Sequence, residues 1–291
     1  MKFTIVTPSF GMLPYLRLCA ASVADQRMPG VEVEHIVQDG GSTDGTREWL
    51  ATQTGLTGIS EPDEGMYDAI NRGIRRGTGE VYAWLNCDEQ YLPGALDTVR
   101  RYFQDNPAVD IVVGHAIVVD PKGDYMCHRK AVMPRMPILR LGRLPVLSSS
   151  MFFRHRVVKG ERGMLFDTWW KAMGDWHWVT SAVERGMRIG LLDAFLSTFT
   201  DTGANLGYSA QSKKETAHIR AKLTPIQRAS VPLVRADEYL RKFRHGYYRQ
   251  PPFSYAVYDS DPASPTGVSA QRHTRHVAKP TFYWKGRAFV Q

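Results

Sequence analysis

The sequence predicts an α/β domain with a mostly parallel central sheet and helices on both faces. Three observations carry that expectation. Short apolar runs alternate with stretches of helical period over the first 110 residues. The runs end in clusters of glycines and acids, and in such sheets ligands sit beyond the carboxyl ends of the strands. Of the 291 residues 43% are hydrophobic, enough for one large α/β domain or two smaller ones.

Taken in order, Lys2–Thr7 reads as a strand, followed by the turn "PSFGMLPY" and a helix from Leu13 to Gln26. A second strand, Val31–Val37, ends at "QDGGSTDGT", and a helix starts at Thr46. A short strand at Gly58–Ser60 leads to "EPDEG", and Met66–Arg76 is a helix closed by "GTG". Val81–Leu85 is a buried strand by length and composition, and Gly94–Gln104 is the next helix. Asp110–Val113 and Ala116–Val119 read as a strand pair. "MPRMPILRLGRLP" reads as a mobile loop, "MFFRHRVV" as a strand, and "GDWHWVTSAVERG" as a helix starting at Asp175 and ended by Gly186. The tail from Ser209 holds one or two helices and then "SDPASPTG", whose composition predicts disorder.

Cys19, Cys87 and Cys127 are too few and too scattered for a disulfide framework or a CxxC zinc site, so a reducing cytosol is the natural setting. "MKFTIVTPSF" reads as a first strand and not as a signal peptide. No apolar stretch reaches the ~18 residues of a membrane span. The net charge of +8 is unevenly placed. The balance is −8 over residues 1–121, +8 over 122–162, −2 over 163–212 and +10 over 213–291. Two basic segments on an otherwise acidic chain suggest an anionic partner.

Val81–Leu85 stops abruptly at Asn86, Asp88 and Glu89. Ionised carboxylates are costly to desolvate unless paired or bound to a metal. Mg²⁺ and Mn²⁺ prefer oxygen ligands, and one or two carboxylates plus substrate phosphates suffice. The alternative is a helix-capping turn before "LPGAL". No GxxxxGK[ST] is present, and no GxGxxG follows the first strand, so phosphates are not cradled by a glycine loop. Asp39 at a strand end can accept a hydrogen bond from a nucleobase N–H or a ribose hydroxyl, whereas Asp44 suits a helix cap.

"TPSF", "QDGGSTDGT", "SEPDEGMYDAINRGI", "GTGEVYAWLNCDEQY" and "GDWHW" occur in the order and at about the spacing of the family-2 glycosyltransferases with the GT-A fold. The sequence resembles that family over residues 2–205, and its bacterial polysaccharide branch most. The resemblance implies a Rossmann-like nucleotide-sugar half (1–110) fused to an acceptor half (111–205), with a basic, helical and partly disordered extension over 206–291. It implies that Thr7, Pro8, Ser9, Asp39 and Asp63 line a nucleotide pocket. Asn86-Cys87-Asp88 matches the DxD-type motif, so Asp88 becomes the ligand of Mg²⁺ or Mn²⁺, while Asn86 stands where the first acid is usual. Asp175 matches the catalytic base, and Gly174 replaces the acid that usually precedes it. The implied reaction is inverting transfer of a sugar from a nucleotide-diphosphate sugar to a hydroxyl of a glycan or polyprenyl-diphosphate-linked acceptor. For Asp175 the competing role is the N-cap of a helix beginning at Trp176; Trp169, Trp170, Trp176 and Trp178 would bury it or stack on a sugar.

Two other classes fit parts of the chain. A sugar-nucleotide nucleotidyltransferase shares the sheet and the metal-on-acid logic, but "TPSFGMLPY" lacks the glycine-rich basic loop a triphosphate needs. A sugar- or nucleic-acid-binding module would suit "RKFRHGYYRQPPFSY", but the acidic strand ends would repel RNA, so no nucleic acid is expected. Arg135, Arg140 and Arg143 among Met136, Ile138, Leu139 and Leu141, and the tail from Arg241 to Arg249, suit an anionic membrane surface. The expectation is a peripheral protein on the cytoplasmic face of the cell membrane.

Overall fold

The computed structural model describes residues 1–160, 163–284 and 287–290, with Trp284 and 287–290 by backbone alone. The first half alternates strand and helix: β1 (Lys2–Ser9), α1 (Leu13–Ala24), β2 (Glu32–Asp39), α2 (Thr46–Ala51), β3 (Thr57–Ser60), α3 (Met66–Arg76) and β4 (Val81–Trp84). The chain continues through β5 (Gln90–Tyr91), α4 (Ala95–Asp105), β6 (Ile111–Val119), β7 (Tyr125–Arg129), α5 (Met136–Leu139), β8 (Met151–Arg154), α6 (His155–Val158), α7 (Gly174–Glu184) and β9 (Ile189–Thr200). The remainder holds α8 (Ala210–Ala221), α9 (Pro225–Ala229), α10 (Val231–Arg244), β10 (Phe253–Val257), β11 (His273–Val277), β12 (Thr281–Trp284) and β13 (Arg287–Val290).

One large sheet runs β13-β12-β7-β6-β8-β4-β1-β2-β3. The four strands β3, β2, β1 and β4 are parallel throughout. Beyond them β8 pairs antiparallel with both β4 and β6. The expected mixed α/β fold with a mostly parallel central sheet is present. Side chains alternate between its two faces. On β4, Val81, Ala83 and Leu85 join Phe3, Ile5 and Phe103 on one side, while Tyr82 and Trp84 join Val6, Ile70 and Trp178 on the other. Each Val, Leu, Ile or Phe among them contributes roughly 1.5–3 kcal/mol by leaving water.

Helix α3 shows why the sequence signals were legible. Tyr67, Ile70 and Ile74 recur at spacings of three and four and are all buried. Asp68 and Arg72 pair one turn apart at 2.7 Å, and Arg75 and Arg76 sit in the last turn, where they complement the helix dipole.

Several expected elements take a different form. The pair at 110–119 is one continuous strand, β6, with a register irregularity between Val113 and Ala116. There it changes partner from β8 to β7 while β9 follows its other edge. "MFFRHRVV" is a short strand followed by one helical turn. "MPRMPILRLGRLP" is not an exposed mobile loop: it contains α5, and Ile138, Leu139 and Leu141 are buried in the core beside α7. Those apolar residues are therefore not available to a membrane. The tail contributes β12 and β13 to the main sheet and α8 to the packing around α7, and "SDPASPTG" forms a hydrogen-bonded turn between β10 and β11. Strands β5, β7, β9 and β10–β13 lie outside the expected elements, and the described residues of the tail hold three helices instead of one or two.

Candidate active site

The carboxyl ends of the parallel strands meet in register. Ser9 lies beside Asp39, and Asp39 beside Ser60. Beyond them opens a cleft of about 1090 Å³. Its walls come from the strand ends, from α7, from the 201–208 turn and from α8. Pro8, Ser9, Asp63, Asn86, Asp88 and Asp175 all line it. Thr7 and Asp39 lie behind that lining. Thr7 Oγ1 is 2.9 Å from His35 Nε2 on β2. Asp39 is fully buried, and its carboxylate accepts from Gly41 N, Ser42 N, Ser42 Oγ and Ser60 Oγ. Oδ2 takes three of these donors and Oδ1 one, so Asp39 braces the loop under the site and keeps an acceptor position on Oδ1.

The neighbouring acids divide their work. Glu61 is held by Arg72 and Arg76, each at 3.2 Å. Asp44 clamps two loops, accepting from Leu13 N at 2.9 Å and Thr46 Oγ1 at 2.6 Å. Asp63 accepts from Gly65 N at 2.8 Å and faces the cleft. A side chain at Gly40 would meet its Oδ2 at 2.9 Å, so glycine is needed for that approach.

The turn after β4 is pinned from a distance. Thr200 Oγ1, at the end of β9, donates to the Asp88 carbonyl, and β9 pairs with Gln90 and Tyr91. Burial pushes the Asp88 carboxyl up to about 6, and burial with the Asp88 charge pushes Glu89 well above the usual carboxylate range. Glu89 Oε2 accepts from Asn86 N at 2.9 Å. Glu89 Oε1, Asn86 Oδ1 and Ser9 Oγ are buried without a hydrogen-bond partner. Enclosed acceptors beside carboxyls of raised proton affinity are the condition a divalent cation relieves. Among the described residues no three His, Cys, Asp or Glu side chains form a complete metal cage. The donor set therefore fits an ion completed by phosphate oxygens and water, not a self-sufficient structural site.

Asp175 faces this turn from the other half. It is the second residue of α7, whose N-cap is Met173, so the capping role does not fall to it. Its Oδ1 accepts from Trp176 N at 2.7 Å and from Tyr67 Oη at 3.4 Å. Burial raises its carboxyl to about 6, against the opposing hydrogen bonds. The missing acid at 174 has a steric reason. A side chain there would fall 2.6 Å from the Tyr67 ring, which stacks on Phe166. Of the four tryptophans, Trp176 lines the cleft, Trp170 and Trp178 are buried, and Trp169 is exposed.

Phe10 and Glu215 escaped the sequence reading, and the pair Tyr67–Asp68, which could face the site or only pack, divides its roles. Phe10, 71% exposed, stands on the cleft lip directly after Ser9, and an aromatic after a strand-end "PS" was an available signal. Tyr67 contacts Asp175, whereas its neighbour Asp68 turns outward to Arg72. Glu215 on α8 is buried and accepts from Lys171 N, Ala172 N and Met173 N at 2.8, 3.1 and 2.8 Å. It thus anchors the three residues that lead into α7. Glu215→Ala is expected to lower stability by about 3 kcal/mol or more, since three enclosed donors lose their acceptor. Urea unfolding measures this; a change below about 0.5 kcal/mol would show that the anchor carries no weight.

Residues 4–167, more than half of the chain, match the sequence model of "Glycosyl transferase family 2". The chain belongs to that family. Among curated relatives, this family-2 chain is 25% identical over 194 residues to the glycosyltransferase AglE of Haloferax volcanii, covering 63% of this chain and 62% of that protein. It is 31% identical over 122 residues to a PGL/p-HBAD biosynthesis glycosyltransferase of Mycobacterium bovis, covering 40% and 47%. Both matches thus span less than two thirds of the relatives' own lengths.

The fold of the family-2 chain is that of GT-A enzymes of known structure. TarS of S. aureus, residues 1–349 with UDP, superposes with a TM-score of 0.56 at 17% identity, over 85% of this chain and 75% of that one. The mannosyltransferase PcManGT of Pyrobaculum calidifontis, in complex with GDP-Man and Mn²⁺, gives 0.54 at 20% identity, over 82% and 69%.

Proposed function

We propose that the protein is an inverting, metal-dependent glycosyltransferase that moves a sugar from a nucleotide-diphosphate sugar to a hydroxyl of a glycan or polyprenyl-diphosphate-linked acceptor in cell-surface polysaccharide assembly. One observation carries the reading: a single cleft brings Asp88 from the strand-end half together with Asp175 from the other half, and both carboxyls are raised to about 6. The family membership and the nucleotide-sugar complexes of the structural neighbours support it. Residues 1–205 supply the donor and acceptor halves, and the basic segment 206–291 adds part of the cleft wall and two strands of the sheet.

In this reading Phe10 offers its exposed ring to the nucleobase, and Asp63 and Ser9 Oγ face the nucleotide. Asp88 would hold Mg²⁺ or Mn²⁺, with Asn86 lining the donor pocket beside it, and the bound ion would supply positive charge to offset that of the departing diphosphate. Asp175 takes the proton of the acceptor hydroxyl as it attacks the anomeric carbon from the face opposite the diphosphate. A carboxyl of pKa about 6 is ionised at neutral pH yet more basic than an exposed aspartate. The setting is the cytoplasmic side of the membrane; no helix among the described residues is long and apolar enough to cross it.

Thermal shift with a panel of nucleoside diphosphates and nucleotide sugars, with and without Mn²⁺, tests the reading. A ligand at a hundred times its Kd adds about 2.7 kcal/mol of stability. Metal-dependent stabilisation by one nucleotide sugar, followed by release of its nucleoside diphosphate, is the expected result. Equal indifference to every member of the panel would overturn it.

The pH profile gives a second check. Asp175 must be ionised to act, so kcat/KM should rise about tenfold per unit below its pKa and level off above about pH 6. The Tyr67 hydroxyl stabilises the ionised form. Tyr67→Phe is therefore expected to move the acid limb to higher pH. A limb that stays in place would remove Tyr67 from the base's surroundings.

A further inference from the structure

Helix α10 turns an apolar face to solvent. Its inward side carries Val231 and Val234 on the core, and Glu238 bonded to Lys242 at 2.8 Å and Arg143 at 3.4 Å. The opposite side carries Leu233, Ala236, Leu240 and Phe243, which at 3.6 residues per turn fall within a quarter of the helix circumference. Leu233 is 74% exposed and Phe243 67%, and Ile226 on the preceding α9 is 82% exposed. Four of the chain's large exposed apolar side chains thus share two consecutive helices, α9 and α10. A surface helix normally presents the reverse pattern, and a clustered apolar patch marks an interaction site.

The chemistry around the patch selects the partner. Residues 213–249 hold ten Lys and Arg against three Asp and Glu. Of those acids Glu215 and Glu238 are buried, and Asp237 pairs with Arg241 at 2.8 Å. The outer surface is therefore positive, with Arg228, Arg235 and Arg244 on the same two helices. A second copy docking through this face would set two positive surfaces against each other. An anionic bilayer accepts both features: apolar side chains enter the acyl boundary, and arginines meet the headgroups. We propose that the outer face of α9–α10 docks the protein on an anionic lipid surface, with Ile226, Leu233, Leu240 and Phe243 inserted. This moves membrane contact away from residues 135–143. It names a surface for the peripheral setting proposed above and rests on that reading. The adjoining helix α8 lines the cleft with Ser212, Thr216 and Arg220.

Co-sedimentation of the full chain with vesicles tests this. Binding is expected to phosphatidylglycerol–phosphatidylcholine vesicles and not to pure phosphatidylcholine, and to weaken with salt. Leu233→Glu with Phe243→Glu should weaken it about tenfold or more, as should Arg235→Glu with Arg244→Glu. These side chains are exposed and outside the cleft, so both variants should fold. The proposal is overturned if the variants sediment like the parent, or if binding is absent or indifferent to lipid charge. A dimer in solution that Leu233→Glu with Phe243→Glu dissolves would overturn it too. Nucleotide-sugar binding, followed by thermal shift without lipid, reports on the transferase reading alone, so the two fail separately.

Discussion

Asp175→Asn is expected to bind the nucleotide sugar normally and to turn it over ~10²- to 10⁴-fold more slowly, the usual cost of removing a general base. The same substitution should not weaken the fold. The amide oxygen can still accept from Trp176 N, as Oδ1 does at 2.7 Å. The sign of the pKa change points further. A carboxyl raised by burial to about 6 makes the folded state bind more protons than the unfolded state between about pH 4 and 6. Stability contributed by the protonated form is therefore lost as pH rises through 6. Asparagine never ionises, so at pH 8 the variant should melt at or above the parent's temperature. A purely structural aspartate would give the opposite pair of results: lower Tm and retained turnover. Measuring kcat, nucleotide-sugar Kd and Tm at pH 8 separates them.

Asp88→Asn is expected to abolish metal-dependent turnover, with a loss of about a hundredfold or more even at saturating metal. Its effect on the apo fold should be small, because the replaced carboxyl is already destabilised as an anion by burial. The distinguishing readout is the Mn²⁺-dependent part of the thermal shift with nucleotide sugar, which should disappear. Near-normal activity at saturating metal would move the ion elsewhere, and Asp63, on the same cleft, would be the next acid to examine.

What the sequence revealed was local. Helix α3 could be bounded correctly because its spacing and its charge pair lie within eleven residues, with a glycine directly on either side. The acids at strand ends could be gathered into one site because parallel sheets place such ends together. Strand β9 could not be read from "IGLLDAFLSTFT", whose burial follows no clean alternation because its neighbours are β6 along its length and β5 at its end. Glu215 was illegible for a similar reason. Its partners are 42 to 44 residues away, and no local pattern marks an acid that will receive three backbone donors. Gly174 looked like a loss of a supporting acid, and only the position of Tyr67, more than a hundred residues earlier, shows what fills its space. Asp39 shows the converse: a motif residue whose Oδ2 is fully occupied by Gly41, Ser42 and Ser60 in bracing its own loop.

The anchor from Glu215 ties the approach to Asp175 to a helix that belongs to the basic segment. Residues 171–173 keep their geometry only while α8 is in place, and Lys171 also reaches across to the Glu64 carbonyl at 2.8 Å. The loop is therefore a shared term in two equilibria. Any partner that steadies α8 from outside raises the fraction of molecules whose Asp175 is correctly placed. By thermodynamic reciprocity, a donor that orders the loop from inside strengthens that outside contact by the same factor.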